Sequence, residues 1–243
     1  MPTDSSMKNY SCGKVHCCDC RMRELCIPKS LNDKEMFKLD AIIERASPTQ
    51  KGERLFKPQD PLTALYAIRS GSVKSYNLSD EGDDQVTAFH FGGEVLGLDA
   101  ISVGHHTSFA TALETSMICK IPYQALTALA SRCPSLHKKL LRMLSYEIRT
   151  VQNIVLLHAN KNSEQRLAHF INSLSEEYAL RGFSSSEFKL SMSRTDIASF
   201  LGLTVETISR LLSRFQKQGL ITVSAKYVMI LDMPAIITLA PPS

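Results

Sequence analysis

The chain has 243 residues, 44% hydrophobic and 21% charged, a balance that excludes a disordered or fibrous protein and provides enough apolar surface for about two globular units. A formal charge of +4 is compatible with nucleic acid but far from a polycationic tail, so charge alone assigns no partner. Met1 to Lys14 is polar, without the apolar stretch of a secretory signal, and no later run reaches the ~18 apolar residues of a membrane span. The expected location is the cytoplasm, with no membrane partner.

Residues 1–30 form a polar arm in which five of the seven cysteines fall between Cys12 and Cys26. In a reducing compartment such crowding points to metal or redox chemistry rather than to disulfides. Cys17-x2-Cys20-x5-Cys26 supplies three thiolates, one short of the four that a cuboidal iron-sulfur cluster or a structural zinc needs. Cys119, at the end of a predicted strand before Ile121-Pro122, is the natural fourth ligand and Cys133 the weaker one. Cys12 and Cys18 are expected to be spare. Spacing leaves zinc and iron-sulfur evenly matched, because both prefer thiolates. The arm is expected to have no core of its own.

Pro28 closes the arm, and apolar residues at Met36, Leu39, Ile42 and Ile43 predict a helix over Asn32 to Arg45. From Glu53 to about Pro122 the texture changes to short runs: Ala64–Ser70, Ser72–Leu78, Gln85–Phe91 and Ser116–Ile121. Turn pairs Ser70-Gly71, Glu81-Gly82 and Gly92-Gly93 punctuate them. This predicts an antiparallel β-roll within residues 31–133, and an α+β fold for the whole chain.

Pro134 suits the first turn of a helix, and residues 134–160 carry Leu141, Leu144, Ile148, Val151 and Val155 at alternating spacings of three and four. The stripe is compatible with an intramolecular core face. Its narrowness, between Glu147 and Arg149 and flanked by Arg142 and Gln152, favours a partner helix and hence a homodimer.

Residues 161–243 read as a small DNA-binding module. Asn162-Ser-Glu-Gln165 opens a helix to about Leu180, and Ser193-Arg-Thr-Asp196 opens a shorter one ended by Gly202. Thr204 then caps a helix whose Ile208, Leu211, Leu212 and Phe215 face inward, leaving Glu206, Ser209 and Arg210 outside, early in the helix where bases are met. Arg210 has the fork for guanine O6 and N7, Glu206 the acceptor for cytosine N4, and Ser209 a hydroxyl for either neighbour. Arg194, Arg214 and Lys217 are placed for phosphates. Leu220 to Leu231, broken at Ala225-Lys226, predicts a wing hairpin. The bland alternative, a structural helical hairpin with solvated charges, does not account for the turn, the caps and the wing together.

Leu203-Thr-Val-Glu-Thr-Ile-Ser-Arg-Leu-Leu212 with Arg214-Phe-Gln-Lys217 resembles the recognition helix of the fumarate and nitrate reduction regulators of the cyclic-AMP-receptor superfamily. The similarity runs through Tyr66-Ala-Ile-Arg-Ser-Gly71, Lys74-Ser-Tyr76, Ala112-Leu-Glu-Thr-Ser116 and Arg181-Gly-Phe-Ser184, and thus nearly the whole chain. The resemblance implies a winged helix-turn-helix reading inverted TTGAT-type half-sites through Glu206, Ser209 and Arg210. It also implies a [4Fe-4S] cluster on Cys17, Cys20, Cys26 and Cys119, carried by the contexts His16-Cys-x-Asp-Cys20, Leu25-Cys-Ile-Pro28 and Ser116-Met-Ile-Cys119. Oxygen-dependent regulation, dimerisation when the cluster is present, and an RNA polymerase contact at Asp80-Glu-Gly-Asp83 follow from the same resemblance. Two departures affect tuning. Arg21 follows Cys20 where relatives often carry a small polar residue, and Val151 occupies a seam position at which a buried acid would repel its copy. The valine predicts a comparatively tight dimer that keeps some DNA affinity without the cluster.

Two rivals are weaker. A cyclic-nucleotide receptor needs a cation for the buried phosphate, and no lysine or arginine lies between Lys74 and Lys120. A metal enzyme built on His90, His105 and His106 fails because adjacent strand residues point to opposite faces, and no nucleophile or phosphate-loop motif stands out; no catalysis is expected.

Overall fold

The structure, a computed structural model, describes residues 15–240; Cys12 and the polar Met1–Lys14 segment lie outside them. The chain starts with two 3-10 turns, Cys17–Asp19 and Ile27–Ser30, followed by helix α1 (Asp33–Ile42). Asn32 and Glu35 form a reciprocal capping box that satisfies two otherwise unpaired N–H groups at the start of α1. The helix stops three residues short of the predicted Arg45, because Glu44–Arg45 instead forms strand β1 beside the roll.

The roll consists of two four-stranded antiparallel sheets. One has the order β1, β8 (Met117–Pro122), β3 (Ala64–Ser70), β6 (Val95–Leu96). The other has the order β2 (Arg54–Phe56), β7 (Phe109–Ala112), β4 (Ser72–Leu78), β5 (Asp84–Phe91). Phe56, Ile68, Val73, Leu96, Ala110 and Ile118 fill the space between them. His106 is 1% exposed and stacks on Phe56 with 3.8 Å between ring centres, so an aromatic pair occupies this part of the roll. Burial lowers the His106 pKa against the pull of Asp99, holding the ring neutral.

A short helix absent from the sequence expectation, α2 (Tyr123–Ala130), turns the chain into α3 (Pro134–Asn160), with Pro134 in its first turn. At ~1.5 Å per residue this 27-residue helix is roughly 40 Å long, and only Leu136 and Leu157 are buried along it. Lys161 and Asn162 alone separate it from α4 (Ser163–Leu180), which Asn162 and Gln165 open with a second capping box. Arg166 ties this junction together: its guanidinium donates to the carbonyls of His158 at 2.7 Å, Lys161 at 2.9 Å and Leu201 at 3.1 Å. One cation thereby satisfies carbonyls at the ends of two helices, where positive charge is favoured.

The C-terminal unit continues through β9 (Glu187–Lys189), α5 (Arg194–Leu201), α6 (Val205–Lys217), β10 (Ile221–Ser224), β11 (Tyr227–Ile230) and α7 (Met233–Leu239). The predicted wing is present as the β10–β11 hairpin, with Ala225 at positive φ in its turn and β9 pairing on its outer side. This unit packs directly on β5. Phe89 meets Phe170 and Phe200, and Phe91 meets Tyr178. The Ser199 hydroxyl donates to the Asp84 carbonyl and accepts from the Val86 N–H. Arg181, 7% exposed, donates to the Gly92 carbonyl and pairs with Glu94, whose other oxygen faces His90. Phe91 and Leu113 of the roll are therefore part of the core of the helix-turn-helix unit.

Candidate functional site

Helix α6 presents the face expected to meet DNA bases. Thr204 caps it through the Thr207 N–H, and Ile208, Leu211, Leu212 and Phe215 are buried at i, i+3, i+4 and i+7. That burial turns Glu206 and Arg210 outward with side chains 78% and 70% exposed, 3.8 Å apart as an i,i+4 pair. Ser209 lies between them, donating to the Val205 carbonyl and accepting from Arg194 at 3.2 Å. Glu206, Ser209, Arg210, Arg214 and Lys217 line one open face. Arg214 rests 3.3 Å from Glu164 on α4. Arg194 and Arg214 are thus held by protein partners here, and a phosphate would have to compete for them. Gly202, at φ 62°, makes the tight turn between α5 and α6.

The α5 N-terminus is fixed from the roll. Ser193 and Asp196 form a capping box, and Asp196 also receives the Lys74 ammonium at 2.6 Å, which pairs with Asp84 at 2.7 Å as well. Burial raises the Asp196 carboxyl, but bonds from Lys74 and Ser193 outweigh it and hold the pKa below its ordinary value. A depressed carboxylate stabilises the fold at pH values above its unfolded pKa and loses that contribution as pH falls through the folded value. The expected result is that wild-type protein loses thermal stability as pH falls below about 3.8, while Asp196→Asn, already lower at pH 7, changes less over the same range. Thermal unfolding between pH 5 and 3 checks it.

The seam residues of α3 are mostly uncovered in the single chain: Leu141 is 54% exposed, Ile148 60%, Val151 51% and Val155 61%, with Leu144 half-buried. Tyr146 and Leu156 extend this apolar surface.

The described part of the arm has no core of its own and is docked onto the core of the roll. Ile27 is 1% exposed, and with Cys17 and Leu31 it joins a core containing Leu39, Leu65, Ile121 and Leu136, with Leu140 and Met143 packed against it. Gly93 explains the close seat. Its φ is 95°, and a Cβ there would lie 2.6 Å from that of Leu25, so only glycine lets the arm approach.

Cys17 is buried in the first 3-10 turn, Cys26 caps the second, Cys20 lies between them, and Cys119 lies on β8. Burial pushes the Cys17 and Cys119 thiols up, and pushes Cys26 up to about 12, with Cys119 and Cys20 adding repulsion at Cys26. Arg45 and Arg69 oppose the shift at Cys119, and Lys139 of α3 opposes it at Cys26. The four predicted ligands, Cys17 buried and the other three partly so, thus lie within electrostatic reach of one another and are faced by cations. As placed, no three metal-binding side chains among the described residues converge on a single ion position. An iron-sulfur cluster takes four cysteine thiolates, and the chemistry of these four donors matches it. Cys133 is buried at the start of α3 against Ser135, in the same hydrophobic cluster as Cys17, and Cys18 is exposed.

Sequence reasoning missed Asp40, Arg45, Arg166 and Arg181. Only Arg181 carried a local signal, its Arg-Gly-Phe-Ser context.

The helix-turn-helix region, residues 165–239, matches the Crp-like helix-turn-helix domain family, and residues 48–133 match the cyclic nucleotide-binding domain family. The chain is 53% identical over 226 residues to the fumarate and nitrate reduction regulatory protein of Salmonella typhi, covering 93% of this chain and 90% of that one. The chain belongs to the fumarate and nitrate reduction regulator family. The Escherichia coli K12 protein is equally similar, at 53% identity over the same coverage. Among solved structures, FixK2 from Bradyrhizobium japonicum superposes with a TM-score of 0.76 at 28% identity, covering 82% of this chain and 99% of that one. The expected fold class is therefore confirmed, and this family member is a helix-turn-helix transcription regulator rather than an enzyme. No helix among the described residues is long and apolar enough to cross a membrane.

Proposed function

We propose that this regulator is an oxygen-responsive cytoplasmic activator and repressor that reads inverted TTGAT-type half-sites as a homodimer. The observation that carries the sensing half is the gathering of Cys17, Cys20, Cys26 and Cys119 within electrostatic reach of one another beside Arg45, Arg69 and Lys139, supported by the close relation to the fumarate and nitrate reduction proteins. Cys17, Cys20, Cys26 and Cys119 would hold a [4Fe-4S] cluster. When bound, such a cluster supplies an oxygen-labile metal centre that keeps all four cysteines as thiolates. The chain's own residues do the rest. Three ligands on the arm and one on β8 fasten the arm to the roll. Ile27 transmits that fastening to Leu136, Leu140 and Met143 on α3, setting the Leu141, Leu144, Ile148, Val151 and Val155 seam for a second copy.

In the dimer, two α6 helices about 34 Å apart would enter successive major grooves, with Arg210 on guanine, Glu206 on cytosine, Ser209 between them, and Arg194, Arg214 and Lys217 on phosphates. The exposed Asp80–Asp83 turn of the β4–β5 hairpin is the proposed RNA polymerase contact. The cyclic-nucleotide reading is favoured only by the domain match at residues 48–133; the buried Phe56–His106 stack counts against a ligand in that part of the roll.

The deciding experiment measures iron and acid-labile sulfide per chain, with a visible spectrum, on anaerobically purified protein before and after air. About four of each, lost in air, is expected; zinc without sulfide, or heat released on titrating cyclic AMP, would overturn the sensing half. For the DNA half, Arg210→Ala is expected to weaken binding to a TTGAT-type site by about 1–3 kcal/mol, or roughly 5- to 150-fold per half-site, with non-specific binding little changed. Equal losses on specific and random duplexes would assign Arg210 to phosphate instead.

A further inference from the structure

The arm is held by more than its apolar contacts. Asp40, near the end of α1, accepts the Cys17 N–H at 2.8 Å on one oxygen and faces His16 Nδ1 at 2.6 Å with the other. The Arg45 guanidinium pairs with the same carboxylate, donates from Nε to the Val15 carbonyl at 2.9 Å and reaches the Cys17 sulfur at 3.9 Å. Both side chains are nearly covered, at 13% and 11% exposure. Arg45 is also the residue paired directly with Cys119 across the β1–β8 ladder, where opposed residues of an antiparallel pair project on the same side. A single carboxylate–guanidinium pair therefore touches the backbone on both sides of His16, comes within reach of the Cys17 thiol, and stems from the position opposite Cys119.

We infer that the Asp40–Arg45 pair is the anchor that seats the arm at Cys17 beside the strand bearing Cys119. Both are positioning residues. The inference deepens the proposed cluster site and rests on that reading for its consequence, though not for the anchor itself. Three ligands close together on a short segment bring little order of their own, because each must be fixed at an entropic cost. A preformed, largely buried ion pair that fixes the first of them before any metal arrives lowers that cost. The fork of Arg45 is what allows simultaneous contact with a carbonyl, a carboxylate and a sulfur; a lysine lacks that geometry.

The test uses the full chain. Asp40→Ala removes the acceptor, Asp40→Asn keeps one oxygen without the charge, Arg45→Lys keeps the charge without the fork, and Lys38→Ala on the same helix is the control. Amide hydrogen exchange on metal-free protein reads the anchor, and iron, sulfide and the rate of bleaching in air read its consequence. Exchange in the 15–26 segment is expected to quicken about tenfold in Asp40→Ala and less in Asp40→Asn, with exchange in α6 unchanged. Arg45→Lys is expected to load iron incompletely and bleach several-fold faster, and Lys38→Ala to match wild type. Unchanged exchange in Asp40→Ala would overturn the anchor, as would faster exchange throughout the chain. Faster local exchange with wild-type iron content and bleaching would overturn the positioning role. Wild-type protein without iron or sulfide, but with the exchange difference intact, would overturn the cluster reading and leave the anchor standing.

Discussion

Cys119→Ser is expected to leave protein that folds, binds duplex DNA weakly and holds almost none of the wild-type iron and sulfide. Cys119 is the one proposed ligand on a strand, flanked by β1 and β3 in the centre of its sheet. Its loss removes the fixed corner to which the other three thiols would be fastened. A serine hydroxyl is close in size and fits the strand, so circular dichroism and the unfolding midpoint should stay near wild type. The chemistry is what changes, since a neutral hydroxyl is a poor ligand where iron-sulfur centres take thiolates. Cys133→Ser and Cys18→Ser are the matched comparisons, and both should load about four irons per chain. Full iron in Cys119→Ser with loss in Cys133→Ser would move the fourth ligand to the start of α3.

Val151→Asp is expected to have the next largest effect, on assembly. Val151 is 51% exposed in the single chain, within the stripe that also carries Ile148 and Val155. In the proposed homodimer it would meet its own copy. Covering that pair contributes about 1 kcal/mol or more, whereas two facing carboxylates are both desolvated and repelled. A net change on the order of 3 kcal/mol weakens the dimer roughly 100-fold. Sedimentation of metal-free protein at micromolar concentration checks both sides: wild type is expected to be substantially dimeric and Val151→Asp monomeric. Wild-type protein found only as monomer would defeat the proposed tight dimer.

Local chemistry was legible in the sequence and long-range chemistry was not. The capping boxes at Asn162 and Ser193 and the Gly202 turn involve residues within a few positions of one another, so their signals survive in one dimension. The same holds for the inward stripe of α6, whose period is fixed by the helix itself. The docking of the arm was not legible because Cys17, Ile27 and Leu31 follow no helical or strand period; their burial comes from surfaces on α1, β3, β8 and α3. Asp40 and Arg45 act on residues 23 to 30 positions away, and nothing in their neighbours announces it. The docking of the C-terminal unit was hidden for a related reason: Phe89 fits any strand, and only the fold shows that its outward face meets Phe170 and Phe200.

That docking has a mechanical consequence. With Lys74, Ser199 and Arg181 fastening the C-terminal unit to the roll, each protomer of the proposed dimer would swing as one lever about the dimer axis rather than trail its DNA-binding end on a tether. In that proposed dimer two α6 helices about 34 Å apart would each sit roughly 17 Å from that axis. A relative rotation of about 10° then carries a helix some 3 Å, close to the ~3.4 Å rise of one base pair. Tolerance would be correspondingly small: on the proposed mechanism, a repacking of a few degrees where Ile27 meets α3 would be enough to put both half-sites out of step together.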